Sequence, residues 1–471
     1  MSTPPLSKAD TLASLPEEWS SSLLPDIRQQ VIDSQRTVVV LDDDPTGTQT
    51  VYDLPVLTTW SIETLEAELS NNTPIFYILT NSRSLPLVQA QALNKEIATN
   101  LSQASQNTGR DFTVISRSDS TLRGHYPGEV DALVETLGQA VDATLIIPFF
   151  LEGGRYTIHD THYVAEGETL IPAAETPFAQ DAAFGYQASN LCEWVAEKTA
   201  GRVSAETVAS ISVADLREGG PDVVANKLIG LENGRVCVIN AASMRDLEVF
   251  TLGLLTAEGQ GKQFVYRTAA SFVQVRAGLA PKPLLTQADL DMPITGGGLV
   301  IVGSYVPKTT SQLQVLLEQT NINRIEIDVS ALLDDDQQAS EIMRCVKAMN
   351  EALRSNEDVV LYTSRKLISA NDAEQSLAIG NRVSDSLVSI VQSLQITPRY
   401  LIAKGGITSS DIATKGLGVK RAAVMGQILP GIPLWTLGED SQHPGLPYIV
   451  FPGNVGGDDA VATVVKQLQR T

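Results

Sequence analysis

The chain has 471 residues, 43% of them hydrophobic, and 34 Lys and Arg against 55 Asp and Glu give a formal net charge of −21. That length can bury two cores, while the carboxylate surplus repels a phosphate backbone and argues against DNA or RNA as a partner. Cys192, Cys237 and Cys345 lie far apart without C-x-x-C spacing, and no run nears the roughly 18 apolar residues of a membrane span, so a reduced, cytoplasmic, globular protein is expected.

Residues 1–36 are polar, carry no signal-peptide core and read as an N-terminal helical extension. Strand-length apolar runs follow at 37–41, 75–79, 112–115, 144–147 and 236–239, then at 299–302, 325–329, 359–362 and 400–403, with helix-length segments between them. Runs without period-2 alternation suit strands covered on both faces, and strand-helix alternation suits right-handed crossovers. The expected class is α/β, with two domains that are each a mainly parallel sheet with flanking helices. The stretch 277–298, with three prolines and a Gly triplet, reads as the linker, giving a substrate domain at 37–285 and a second domain at 295–471. Ile342, Val346, Met349 and Leu353 form one helical stripe, and Val461, Val464, Val465 and Leu468 another; Asp334, Asp335 and Asp336 read as a solvated helix start.

The run VVVLDDDPTGTQTV, residues 38–51, stacks Asp42, Asp43 and Asp44 where a strand surfaces. In open α/β sheets ligands sit at the carboxyl ends of strands, so Asp43 and Asp44 are placed to bind hydroxyls or act as a base, with Gly47 allowing close approach. A plain turn capped by Asp44 fits the same residues. LTNSRSL puts Arg83 just past the next strand, and SRSDSTLRGHYPGE packs Arg117, Asp119, Ser120, Thr121 and Arg123 past a third, a mixture suited to a carboxylate and a polyol. Beside that stands the reading in which Ser118 or Asp119 caps a helix and the arginines are solvated. EGGRYTIHDTHYV carries Arg155, His159, Asp160 and His162. The two histidines lack a third ligand and sit in a sequence that favours extended structure, so substrate contact or plain structure is expected over a metal.

The second half has glycine turns ahead of helices: Gly303 and Ser304 before a helix near Thr309; Lys404, Gly405, Gly406 and Thr408 before the capping residues Ser409, Ser410 and Asp411; and Gly453, Gly456 and Gly457 before the last helix. Such turns bring backbone N–H groups to phosphate oxygens. Neither a Walker A motif nor a strand-linked G-x-G-x-x-G with its ribose acid occurs, and Lys404 reads equally well as a solvated amine.

With Asp43-Asp44-Pro45-Thr46-Gly47, the D-S-T-L-R-G run from Asp119, the Gly303-Ser304 pair and K-G-G-I-T-S-S-D from Lys404, the chain resembles the four-carbon acid sugar kinases from about residue 37 onward. The resemblance implies an acid-sugar domain and an ATP domain facing across a cleft, with Mg²⁺ and transfer of the γ-phosphoryl to a hydroxyl of a tetronate, 3-oxo-tetronate or related acid. It assigns Asp43, Asp44, Thr46, Gly47, Arg83, Asp119, Ser120, Thr121 and Arg123 to the substrate side, and Ser304, Gly405, Gly406, Ile407, Thr408 and Gly431 to ATP. Asp43, Asp44 and Arg123 are the catalytic candidates, Arg117 and Arg155 join the substrate side, and Gly453, Gly456 and Gly457 join the nucleotide side. Asp42 and Thr48 stand where the family commonly has Ala, Arg117 where it often has Lys, and RTAASFVQ at 267–274 where it has a small Gly/Ser-rich segment. These departures keep two rivals open, a non-catalytic sugar-acid and nucleotide sensor and a dinucleotide-dependent dehydrogenase. The partners implied are small molecules, and a homodimer is compatible with the reading.

Overall fold

The computed structural model describes residues 4–138, 141–365 and 373–469. They form two compact units, Met1–Val51 with Thr59–Pro281, and Tyr52–Thr58 with Lys282–Thr471.

In the first unit seven strands run parallel in the order Ala209–Ile211, Arg235–Ile239, Ala143–Ile147, Phe264–Thr268, Phe112–Arg117, Thr37–Asp42 and Ile75–Leu79. Val38, Val39, Val40 and Leu41 are all buried, as a strand covered on both faces requires. The register sets Asp42 beside Leu79 and Arg117, and Thr268 beside Arg117 and Ile147, so five strands end level. Phe264–Thr268 is a central strand that the sequence reading missed: Tyr266, Arg267 and Thr268 disguise it, although all five residues are buried. Arg155–Ile158, Thr161–Glu166 and Thr169–Pro172 form a separate antiparallel sheet edged by Leu6–Ser7, also unforeseen because its strands are short and polar. The extension before residue 37 holds the helices Lys8–Ala13, capped by Ser7, and Leu24–Asp33.

In the second unit five parallel strands, in the order Pro447–Phe451, Leu401–Lys404, Leu299–Val302, Val359–Thr363 and Asn323–Ile327, are extended antiparallel by Ile432–Leu437, Arg421–Leu429 and Leu54–Leu57. Arg421–Leu429 alternates buried and less buried residues, a period-2 pattern rather than a continuously buried run. Leu54–Leu57, inside the stretch read as the first domain, pairs within the second unit: Val56 pairs with Ala422 and Leu54 with Val424. Val461, Val464, Val465 and Leu468 face the core of this unit with Val300, Ile402, Leu434 and Ile449. The helix expected near Thr309 begins at Pro307. Ser409, Ser410 and Asp411 lie inside the helix Gly406–Asp411 rather than capping it, and the Ser409 hydroxyl donates back to the carbonyls of Ala403 and Gly405. Among the described residues no helix is long and apolar enough to cross a membrane, and the three cysteines are free.

Candidate active site

At the level strand ends of the first unit the charged side chains form a ladder. Asp44 caps the short turn Pro45–Thr48 by accepting from the Thr46 N–H at 2.9 Å, and pairs with Arg83. Arg83 also reaches Asp119 at 3.6 Å, and Asp119 accepts from Arg123 Nε at 2.7 Å and from the Thr121 hydroxyl. Arg123 continues to Asp181 at 3.6 Å, with its guanidinium 5.1 Å from the centre of the Phe178 ring. Arg155 lies over the same ring at 5.6 Å and bonds the Gly153 carbonyl, and among the described residues it has no carboxylate partner. The D-S-T-L-R-G loop is pinned from below: Leu122, at φ +68°, and Tyr126 enter a core with Ile146, Trp194 and Val265.

The three consecutive aspartates have different surroundings. Asp42 is buried, its carboxyl raised by desolvation to about 7 against the pull of Arg117, whose Nη1 lies 3.1 Å away. Desolvation would raise Asp44 too, but Arg83 and the Thr46 bonds outweigh it and hold the carboxyl below its ordinary value. Asp119 is likewise lowered, with Arg83 and Arg123 overcoming burial. Asp43 accepts the Ser118 hydroxyl on Oδ2, while its buried Oδ1 has no hydrogen-bond partner. A Cβ at Gly47 would stand 2.1 Å from Asp42 Oδ2, so glycine lets this turn close over the buried carboxylate.

Several expectations are corrected. Arg117, expected on the substrate side, is buried and donates to Asp42 Oδ1 at 3.1 Å. The Thr121 hydroxyl braces Asp119, and the buried Ser120 lends its carbonyl to His162 Nε2 at 2.7 Å. His162 is therefore structural: its Nδ1 lies 3.0 Å from the Thr157 hydroxyl, and desolvation lowers its pKa to about 4. His159 is exposed at φ +51°, and the Asp160 carboxylate is taken by Asn240 and Ser210. Unforeseen residues complete the ladder: Ser118, Phe178, Asp181 and Arg267, a buried guanidinium that donates to the Arg123 carbonyl at 2.8 Å. Burial lowers the pKa of Arg267 and of Arg155 alike. A charged residue inside an otherwise apolar strand was the signal available for Arg267.

In the second unit the glycine turns gather around Leu401–Lys404. Gly405, at φ +115°, donates its N–H to the Phe451 carbonyl, and a Cβ there would lie 3.1 Å from Ser304 Cβ. A Cβ on Gly303 would meet the Thr408 hydroxyl at 2.7 Å, and one on Gly431 would meet Val455 at 3.2 Å. Gln312 Nε2 holds the carbonyls of Val455 and Gly457 at 3.0 and 2.8 Å, fixing the turn that contains Gly453, Gly456 and Gly457. Gly406 opens the short helix and Ile407 stands exposed beside it. Lys404 is no solvated amine: it is fully buried. Arg365 donates to the Ser304 carbonyl at 2.6 Å and stacks on Tyr305 at 5.3 Å. Among the described residues no three His, Cys, Asp or Glu side chains gather as a metal site.

A ladder of paired acids and guanidiniums at the strand ends of one α/β unit, and a nest of glycine turns in the next, define a two-domain protein of the sugar-binding and nucleotide-binding type. A sugar-binding N-terminal domain matches residues 38–276 and a nucleotide-binding C-terminal domain residues 299–461. The chain belongs to the four-carbon acid sugar kinase family and is, as a member, a phosphotransferase. It is 25% identical to the D-erythronate kinase of Heliobacterium modesticaldum over 92% of this chain and 97% of that one. To the 3-oxo-tetronate kinase of Pectobacterium atrosepticum it is 25% identical over 76% and 80% of the two chains. A solved protein from Salmonella typhimurium LT2 shares the fold with a TM-score of 0.66 at 18% identity, covering 92% of this chain and 99% of that chain.

Proposed function

We propose that the chain transfers the γ-phosphoryl of ATP to a hydroxyl of a small sugar acid, a tetronate, 3-oxo-tetronate or related compound. The observation that carries this reading is the ladder from Asp44 through Arg83, Asp119 and Arg123 to Arg155, which ends in a guanidinium that among the described residues has no carboxylate partner. Relatives named as D-erythronate and 3-oxo-tetronate kinases, matched over 92% and 76% of this chain, support the substrate class.

Phosphoryl transfer asks a protein mainly to position two reactants and compensate charge. In this reading Asp44, engaged by Arg83 and Thr46, is a fixed anion that shapes the site. Asp43 takes the acceptor hydroxyl's proton, since its buried Oδ1 has no hydrogen-bond partner. Arg123, braced by Asp119, orients the acid, and the turns around Ser304, Gly405, Gly406, Ile407, Thr408, Gly431 and Gly453 hold the nucleotide. Mg²⁺ brought by ATP would keep several waters and neutralise phosphate charge; among the described residues no cluster of carboxylates is assembled to hold it. The test is a panel of four-carbon sugar acids with ATP and Mg²⁺, followed for ADP and for the phosphorylated acid by mass spectrometry. Turnover of one acid is expected, with Asp43→Asn and Arg123→Ala each slower by about 10² or more. Binding of both reactants without ADP formation across the panel would make the protein a sensor instead.

A further inference from the structure

Lys404 ends the Leu401–Lys404 strand with its side chain wholly buried. Nζ donates to the Pro452 carbonyl and, at 3.0 Å, to the Gly453 carbonyl, and lies 4.5 Å from the centre of the Phe451 ring. An ammonium has three donors and no acceptor, and burying one without a carboxylate is costly, so a neutral side chain would be preferred if the position only filled space. Both carbonyls belong to one turn. Because the peptide unit is planar and trans, a C=O drawn toward Nζ turns the N–H of the same unit the opposite way. The units concerned are those whose N–H groups belong to Gly453 and Asn454, and among the described residues neither N–H has a hydrogen-bond partner. Two adjacent, unclaimed N–H groups on a glycine turn make a concavity suited to an anion.

We propose that Lys404 is a positioning residue whose buried ammonium orients the N–H groups of Gly453 and Asn454 toward a nucleotide phosphate, so that losing its proton loosens nucleotide binding. The proposal rests on the nucleotide reading of this unit. Burial, with Lys308 adding to it, brings the Lys404 amine down to about 7, within reach of ordinary conditions. Among the described residues the charged group that acts on it from a packed element is Lys308, whose Nζ lies 3.1 Å from Asp458. The sign follows: the protonated amine holds both carbonyls, so affinity is full below about pH 7 and falls as pH rises through that value.

The test is calorimetric titration of the full-length protein with ADP between about pH 6 and pH 9. Lys404→Met should weaken binding at low pH by about ten-fold or more, the worth of hydrogen bonds to a charged group, and should remove the fall in affinity on the alkaline side. The variant retains the titration of the nucleotide itself, so the difference between the two profiles isolates Lys404. Asn454→Pro, which deletes one presented N–H and leaves Lys404 in place, should weaken binding while keeping the pH dependence, and it serves if the methionine variant does not fold. Affinity within two-fold of the parent in both variants, or a parent profile that does not fall with pH, overturns the proposal. A parent chain that binds no ADP at any pH overturns instead the nucleotide reading beneath it.

Discussion

Identical residues in one run do different work because their neighbours differ. Asp42, Asp43 and Asp44 are indistinguishable by type, yet one is buried on Arg117, one keeps an unpartnered oxygen and one is locked by Arg83. Arg117 and Arg123 read alike in the sequence for the same reason: only the register that sets Asp42 opposite Arg117 makes the former a buried counter-ion. The strand ends where the ladder forms were legible, because an apolar run that stops at charged residues marks its own exit; the pairing was not, since it depends on which strands are neighbours. His162 offers a clean test of the structural assignment. Its pKa of about 4 in the fold lies below the ordinary 6.5, so the unfolded chain binds the proton more readily between those values. Stability is therefore full above about pH 6.5 and declines as pH falls toward 4, by up to about 3 kcal/mol from this group. His162→Gln, which can still donate to the Ser120 carbonyl, should unfold in urea with a shallower loss of stability over that interval than the parent. An unchanged slope would assign the acid sensitivity elsewhere.

At the scale of elements, continuous apolar runs located most of the parallel strands, since burial on both faces leaves no period to conceal. What escaped were short, polar or period-2 strands, and one strand whose partner lies far along the chain. Leu54–Leu57 sits among first-unit sequence, and only its pairing with Arg421–Leu429 reveals that it belongs to the second unit. That assignment predicts where damage will be felt. Val56 is buried, so Val56→Asp both removes apolar burial and introduces a charge without a partner, at a cost of at least about 3 kcal/mol. In single-tryptophan variants the loss should appear in the unfolding of Trp435, on the strand next to Arg421–Leu429, while Trp194 in the first unit keeps its transition. A shift confined to Trp194 would return residues 52–58 to the first unit.

For the molecule as a whole, the net charge of −21 and the proposed substrates have the same sign. In the proposed reading an anionic sugar acid and an anionic nucleotide approach a body that repels them at long range, and the groups assigned to hold them act within a few ångströms: Arg123, Arg155, which among the described residues has no carboxylate partner, and N–H groups on glycine turns. Salt acts unequally on these two contributions. Raising ionic strength from about 0.01 M to about 0.15 M shortens the screening length from about 30 Å to about 8 Å, which removes most of the distant repulsion but little of a contact in a partly buried site. The KM for both anionic substrates should accordingly fall, by about two- to five-fold, over that range of added KCl, with kcat nearly constant because the contacts made in the transition state lie inside the screening length. A nucleic-acid binder driven by a basic surface behaves in the opposite way, losing affinity steeply with salt. A KM that rises over the same interval would mean that capture depends on an extended cationic field, which this charge distribution does not supply, and would move the binding groups away from the ladder and the glycine turns.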